Sequence, residues 1–381
     1  MDLLITGANG FLGAQVATQW LARDPSARVG CLVRGADEAA ARVRLEAALR
    51  GAVRDQAMAA DAGALLSRAD VVLGDMDDPA WIGRARGWLR GPAAVFHCAA
   101  NLSFREADRD AVRRTNVGGT RALVAALPSL PGVEAFNHVS TAYVAGDREG
   151  LIAEDDPSRP GRFNNPYEES KWEAEALVRA GCAAAGVAWR VLRPSIVIAH
   201  SRTHRMAGQS GFYQVADTLL KFGRSARARG AGRILLPVPA GATLDLIPVD
   251  AVVDEMLALA AGGEATANRT FHVTAAEPLV LGDVLRELSP MSGVTIEVTE
   301  PGVAVGRAEA VLAELVMRRL RHYMPYFSYA RRFERGAPPE GAFRVDVAGL
   351  RGFVRSFVEQ ESKVEAPPQT PPKAAPLERA T

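Results

Sequence analysis

The chain has 381 residues, 48% of them hydrophobic, enough for a large core and for one main domain with an elaborated second lobe. Its 45 basic and 44 acidic residues nearly cancel, leaving a formal net charge of +1, so no global field draws in nucleic acid or an anionic membrane. Cys31, Cys98 and Cys182 lack C-x-x-C spacing and read as small buried hydrophobes in a reducing compartment, not as a disulfide framework or a metal site.

Residues 3–5 form an apolar run that leads through Thr6-Gly7-Ala8-Asn9-Gly10-Phe11-Leu12-Gly13 into a helix from about Phe11. Gly7, Gly10 and Gly13 stand where a side chain would strike a pyrophosphate, and the helix start offers free N–H groups. Asn9, Phe11 and Leu12 lie in the same turn and are expected cofactor contacts. The second strand, 29–33, ends at Arg34. An acid here suits the ribose hydroxyls of NAD, whereas an arginine suits a 2′-phosphate, so the expected cofactor is NADP(H). Arg44, a few helical turns on, either assists or lies on a solvated helix face. After the third strand, 71–73, Asp75 is placed to accept from the adenine amino group, with Met76 packed on the ring.

The fourth strand, 93–96, is followed by His97, read as a packed core histidine, and by Ala99, placed at the cofactor. Asn116 either steadies the site or packs at a helix start. The fifth strand, 134–139, ends at Ser140 and Thr141, where ligands bind in open α/β sheets. Of the two hydroxyls, Thr141 is expected to meet the substrate oxygen and Ser140 to hydrogen-bond backbone at the strand end. Tyr167 and Lys171 follow, four residues apart and so on one helical face. A lysine ammonium beside a phenol is expected to lower its pKa, so that the phenol trades a proton with substrate oxygen near neutral pH. Lys171 is also expected to hold the nicotinamide ribose. A strand at 189–192 leads to Pro194, expected at the nicotinamide.

Beyond Pro194 the alternation loosens. Residues 202–233 read as a basic, loop-rich stretch with a helix near 213–222, where His200 and His204 carry no metal spacing. Residues 244–249 read as a strand, with Asp250 the N-cap of a helix over 251–260. A strand at 270–273 and helical patterns at 281–288, 303–323 and 345–358 follow. The fold class is α/β, a doubly wound parallel Rossmann-type sheet with a smaller, mainly helical C-terminal substrate lobe. The expected division is 1–200 for the NADP-binding domain with 236–262 returning to it, 201–235 and 263–360 for the lobe, and 361–381 as a disordered tail rich in Pro, Ala, Lys and Glu. With no signal-peptide pattern and no apolar stretch long enough to span a bilayer, the expectation is a soluble cytoplasmic protein without a transmembrane segment.

These residues resemble a known family. T-G-A-N-G-F-L-G, C-L-V-R-G, V-V-L-G-D, V-F-H-C-A-A-N-L-S-F, N-V-G-G-T, H-V-S-T-A-Y-V, Y-E-E-S-K-W-E-A-E, L-R-P-S-I-V and L-I-P-V-D span roughly residues 1–255. They are similar to the extended short-chain dehydrogenases. Within these they are similar to the thioester reductases: the reductase domains of carboxylic acid reductases and peptide synthetases, and fatty acyl-CoA reductases. The resemblance implies that Thr141, Tyr167 and Lys171 are the catalytic trio and that Arg34 and Arg44 read the 2′-phosphate. It implies NADPH-dependent reduction of an acyl thioester, on coenzyme A or a separate carrier protein, to an aldehyde and in a second round an alcohol. The alternative is an extended short-chain dehydrogenase acting on a ketone, a hydroxysteroid-like secondary alcohol or a sugar nucleotide. The chain departs from the family at Ala199 and His200, where a glycine usually follows Val197-Ile198. Two basic regions, 224–229 and 317–335, stand ready for phosphopantetheine, an acidic carrier surface or a lipid headgroup, or are solvated helix faces with inward aromatics.

Overall fold

Short β-branched and apolar runs separated by amphipathic helices bury a strand on both faces only in a parallel sheet. The computed structural model describes residues 1–58, 61–76, 78–156, 158–206, 211–303, 305–336 and 343–364. Seven of its strands form one parallel sheet: β1 Asp2–Thr6, β2 Val29–Val33, β3 Ala69–Leu73, β4 Ala93–His97, β5 Val133–Val139, β6 Ala188–Pro194 and β7 Arg269–Val273. Their order is β7-β6-β5-β4-β1-β2-β3. The chain therefore reverses direction across the sheet between β1 and β4, which opens a crevice at their carboxyl ends.

Alternate residues of each strand enter two different cores. Leu3, Ile5, Cys31 and Phe96 meet the helices Phe11–Arg23, Glu38–Asp55 and Val249–Ala261. Leu4, Leu32, Val95 and Phe136 meet the helices Ala80–Trp88, Gly119–Ala126 and Pro166–Ala185. A third core joins the helices Gly211–Ala228, Leu281–Ser292, Arg307–Arg319 and Leu350–Val364. It also holds the parallel pair Arg233–Pro237 and Thr295–Thr299.

Several expectations change in this second half. The strand expected at 270–273 inside the lobe is β7, an edge strand of the main sheet, because Phe271 and Val273 bury beneath the Val249–Ala261 helix. The strand expected at 244–249 is broken: Leu246–Pro248 pairs with Ile196–Ile198, while Thr243–Leu244 pairs with Leu279–Val280. Between them Asp245 turns its carboxylate inward to Ser195 Oγ and the amide of Ala275. Asp250 is not the N-cap; that position is Pro248, and the Asp250 carboxylate instead receives the amide and hydroxyl of Ser201. The stretch read as loop-rich contains the 18-residue helix Gly211–Ala228. Of the tail expected to be disordered, 361–364 continue the last helix, and 365–381 lie outside the described residues. No described helix is long and apolar enough to cross a membrane.

The helix Pro166–Ala185 is the best-anchored element near the crevice. Asn165 caps it by accepting from Glu168 N, Pro166 opens it, and Gly186 ends it in the left-handed region at φ 66°. These are favoured start and stop residues. On its inner face the Glu175 carboxylate receives two hydrogen bonds from Arg193, at 2.8 and 2.7 Å, one from Arg179 at 2.8 Å and one from Ser140 at 2.7 Å. Burial alone would push this carboxyl up; the two arginines and Ser140 overrule it and hold it below its ordinary range. Breaking a buried pair leaves a charge without compensation. Arg193→Met is therefore expected to lower unfolding free energy by about 3–5 kcal/mol, read as an earlier urea midpoint at unchanged slope.

Candidate active site

The turn after β1 is shaped by close backbone approach. Gly7 has φ +74°, and a Cβ on it would lie 2.7 Å from Ala99 N; one on Gly13 would lie 2.2 Å from the Gly7 carbonyl oxygen. Gly10 N donates to Gly7 O at 2.9 Å, and the first intrahelical bond runs from Ala14 N to Gly10 O. The amides of Phe11, Leu12 and Gly13 are thus first-turn donors without an intrahelical acceptor. Such a bare, donor-rich cradle fits a dinucleotide pyrophosphate.

The cradle is held from beneath by a buried relay. Thr120 Oγ1 donates to Asn116 O at 2.6 Å, so it accepts from His97 Nε2 at 2.9 Å. His97 Nδ1 then accepts from Thr6 Oγ1 at 2.7 Å, while Thr6 Oγ1 accepts from Ala99 N at 3.2 Å. Burial, with Lys171 nearby, pushes His97 down to about 3. It is a neutral packing group that ties β1, β4 and the following helix together.

One cavity of about 1220 Å³ contains nearly all of the expected site. Gly7, Asn9, Gly10, Phe11, Leu12, Gly13, Arg34, Asp75, Met76, Ala99, Thr141, Tyr167, Lys171 and Pro194 line it. Arg44 does not; its guanidinium donates to the Arg34 carbonyl at 2.7 Å, so it braces the backbone of Arg34. The Arg34 side chain is 69% exposed and lies 3.6 Å from Asp75.

Lys171 is buried and its ammonium donates to Val139 O at 2.7 Å. Burial lowers its pKa to about 8, against the pull of Cys98 and Glu175. Asn116, in a π-helical turn, receives Asn101 N on its side-chain oxygen and donates to Ser170 Oγ at 2.8 Å. It thereby fixes the loop after β4 against the Tyr167 helix. Ser140 is spent on Glu175 rather than on backbone, and Thr141 is the hydroxyl that faces Tyr167. Tyr167 differs from the sequence expectation. Its phenol is raised, first by burial and then by Glu168, while a hydrogen bond from Thr141 pulls the other way. Lys171 directs its charge at Val139 O and does not offset the burial.

Of three neighbours of Tyr167, Phe104 and Glu168 carry no separate expectation from the sequence, and Tyr326 is one of the inward aromatics of the basic region 317–335. Phe104 lies 6.0 Å from its ring and stacks on Tyr326 at 5.6 Å. Tyr326 donates to Glu168 at 2.7 Å and receives Asn165 Nδ2 at 2.9 Å. Glu168 is buried and raised to about 7 by desolvation. The signal for Phe104 was the H-C-A-A-N-L-S-F run itself, which places an aromatic just past a strand end. Tyr326 is far away in sequence, and the aromatic run around it does not say which residue it meets. On the far side the cavity is walled by apolar residues of the third core, among them Phe212, Val215, Leu219, Leu281, Leu285 and Leu288.

An NAD-binding family profile described as male sterility protein matches residues 5–256. Rat (Rattus norvegicus) fatty acyl-CoA reductase 1 is 28% identical over 300 residues, covering 68% of this chain and 54% of that protein. A carboxylic acid reductase of Segniliparus rugosus is 31% identical over 215 residues, covering 52% of this chain and 18% of the relative. The chain thus spans about half or less of the length of these relatives. Among solved structures, the terminal R domain from the myxalamid PKS-NRPS biosynthetic pathway superposes with a TM-score of 0.73 at 23% identity, covering 96% of this chain and 92% of that one. The fold is therefore shared with terminal reductase domains. The family match takes in both the glycine cradle and the Tyr167–Lys171 helix, and the chain belongs to the NAD-binding male sterility protein family.

Proposed function

We propose that the chain is an NADPH-dependent oxidoreductase that reduces an acyl thioester, carried on coenzyme A or on a carrier protein, to an aldehyde and in a second round to an alcohol. The observation that carries this reading is a single cavity in which the glycine cradle, the Thr141–Tyr167–Lys171 cluster and a long apolar wall meet. The apolar wall suits an acyl chain. The three free cysteines support a reducing compartment, the cytoplasm, as the place of action.

The cradle amides and Arg34 would hold the dinucleotide, Arg34 through the 2′-phosphate. When bound, this cofactor supplies a hydride to the thioester carbon. Thr141 and Tyr167 donate hydrogen bonds to the thioester oxygen as it gains negative charge, each such donor being worth roughly 3–4 kcal/mol. A raised Tyr167 pKa keeps the phenol protonated, which is the form that gives up a proton. Tyr167 then passes its proton to the oxygen; the resulting hemithioacetal re-forms the carbonyl, and the thiol leaves. Lys171, fixed by Val139 O, would hold the nicotinamide ribose.

Three outcomes are expected. Tyr167→Phe is expected to cut kcat by about 100-fold or more, as loss of a positioned proton donor does, while NADPH binding followed by fluorescence stays intact. Full turnover in that variant contradicts the mechanism. Arg34→Ala is expected to raise the KM for NADPH roughly 10–100-fold, the worth of a charged hydrogen bond, with little change for NADH. An equal rise for both cofactors contradicts the 2′-phosphate reading. Lys171 is cationic below its lowered pKa and neutral above it, so NADPH affinity is expected to fall as the pH rises through about 8. In Lys171→Met that limb disappears from a titration of affinity against pH.

A further inference from the structure

Members of the two basic stretches, far apart in sequence, line the same cavity. Arg105, on the loop after β4, and Arg319 and His322, at the end of the Arg307–Arg319 helix, all line it. Lys221 and Arg224, on the Gly211–Ala228 helix, line it too. Arg321 Nε donates to His322 Nε2 at 3.2 Å. Burial and then the charges of Arg321 and Arg105 lower His322, so the three groups sit within electrostatic range of one another.

These cations are poorly compensated. Arg319 and Arg224 have no ion pair among the described residues. Among the described residues Arg105 has only Asp108, at 3.9 Å, and that carboxylate already receives the Ser103 hydroxyl at 2.6 Å. Lys221 alone is neutralised, by Asp217 at 2.7 Å. Like charges gathered at a cavity mouth focus potential into it and favour an anion there. The patch also stands at a short, defined remove from the reacting atoms. Tyr323, next to His322, lies 5.8 Å from Phe104, which lies 6.0 Å from Tyr167.

We infer that Arg105, Arg319, Arg321 and His322 form a phosphate-binding rim for the 4′-phosphate of a phosphopantetheine arm. The arm then runs past Tyr323 and Phe104 to place its thioester at Tyr167. This assignment rests on the thioester reading above. It names the chemistry shared by coenzyme A and a carrier-held arm, with guanidinium groups as the natural phosphate partners.

The test titrates the NADP⁺-loaded protein calorimetrically with phosphopantetheine and with pantetheine. The phosphorylated form is expected to bind roughly 10–100-fold more tightly, the worth of one charged hydrogen bond to the phosphate. Joint replacement of the exposed Arg105 and Arg319 by Ala is expected to bring the two affinities together. Equal affinities in the parent protein overturn the inference, as does a phosphate preference that survives the double replacement. Turnover of acyl-pantetheine and acyl-phosphopantetheine separates the two readings. Reduction of both at equal efficiency keeps the thioester chemistry and removes the rim. A phosphate preference in binding with no turnover of either keeps the rim and removes the thioester chemistry. Competition by adenosine 3′,5′-bisphosphate, the other part of coenzyme A, assigns coenzyme A as the source of the arm; binding without such competition assigns a carrier-held arm.

Discussion

The structure depends on how one helix is fastened to a face of the sheet with its first turns at the carboxyl edge. Pro166–Ala185 carries Tyr167 and Lys171, and three polar ties set its position. Lys171 reaches the carbonyl of Val139 at the end of β5. Glu175 binds Arg193 on β6 and Ser140 beyond β5. Ser170 receives Asn116 from the neighbouring π-turn. Each tie is buried, where an unmade hydrogen bond is costly, so the helix has one well-defined setting. On the proposed mechanism Tyr167 is the reacting phenol, which must be held to within a fraction of an ångström, and these ties would supply that precision from outside the cavity.

The electrostatics follow from the same burial. Lys171 loses solvent, so its charge is only just retained near neutral pH. Tyr167 loses solvent and has Glu168 beside it, so it stays a proton donor. Glu168 in turn is shared with Tyr326 and the amide of Asn164. The residue that tunes the phenol is therefore also the residue that joins the sheet domain to the helical core. Phe104 lies between these rings, so the loop after β4 contributes both to the cradle, through Ala99, and to the reaction chamber.

Much of this was legible in the sequence, for physical reasons. The glycine spacing is tied to a backbone approach that admits no Cβ, as Gly7 and Gly13 demonstrate. The apolar strand runs were legible because a doubly covered sheet leaves few positions for polar residues. The second half was less legible. The strand 295–299 was passed over, and Asp250 resembles an N-cap although its carboxylate serves Ser201. The tie between Glu168 and Tyr326 spans 158 residues, and no local pattern encodes it. The expected effect of Lys171 on Tyr167 assumed that charge proximity dominates; burial dominates instead. The basic stretches were visible as composition, but only the tertiary packing of the loop after β4 and the end of the Arg307–Arg319 helix brings Arg105, Arg319 and His322 to one cavity.

The central claim is that one cavity delivers hydride to a thioester carbon under the control of Tyr167. The most direct measurement supplies NADPH deuterated at C4 of the nicotinamide together with an acyl thioester, and examines the product by mass spectrometry. The account predicts one deuterium at C1 of the product for each NADPH oxidised, one in the aldehyde and two in an alcohol from a second round, with release of one thiol per acyl group. Cofactor oxidation that leaves the thioester intact, or deuterium found only in a ketone-derived alcohol offered in competition, would contradict it.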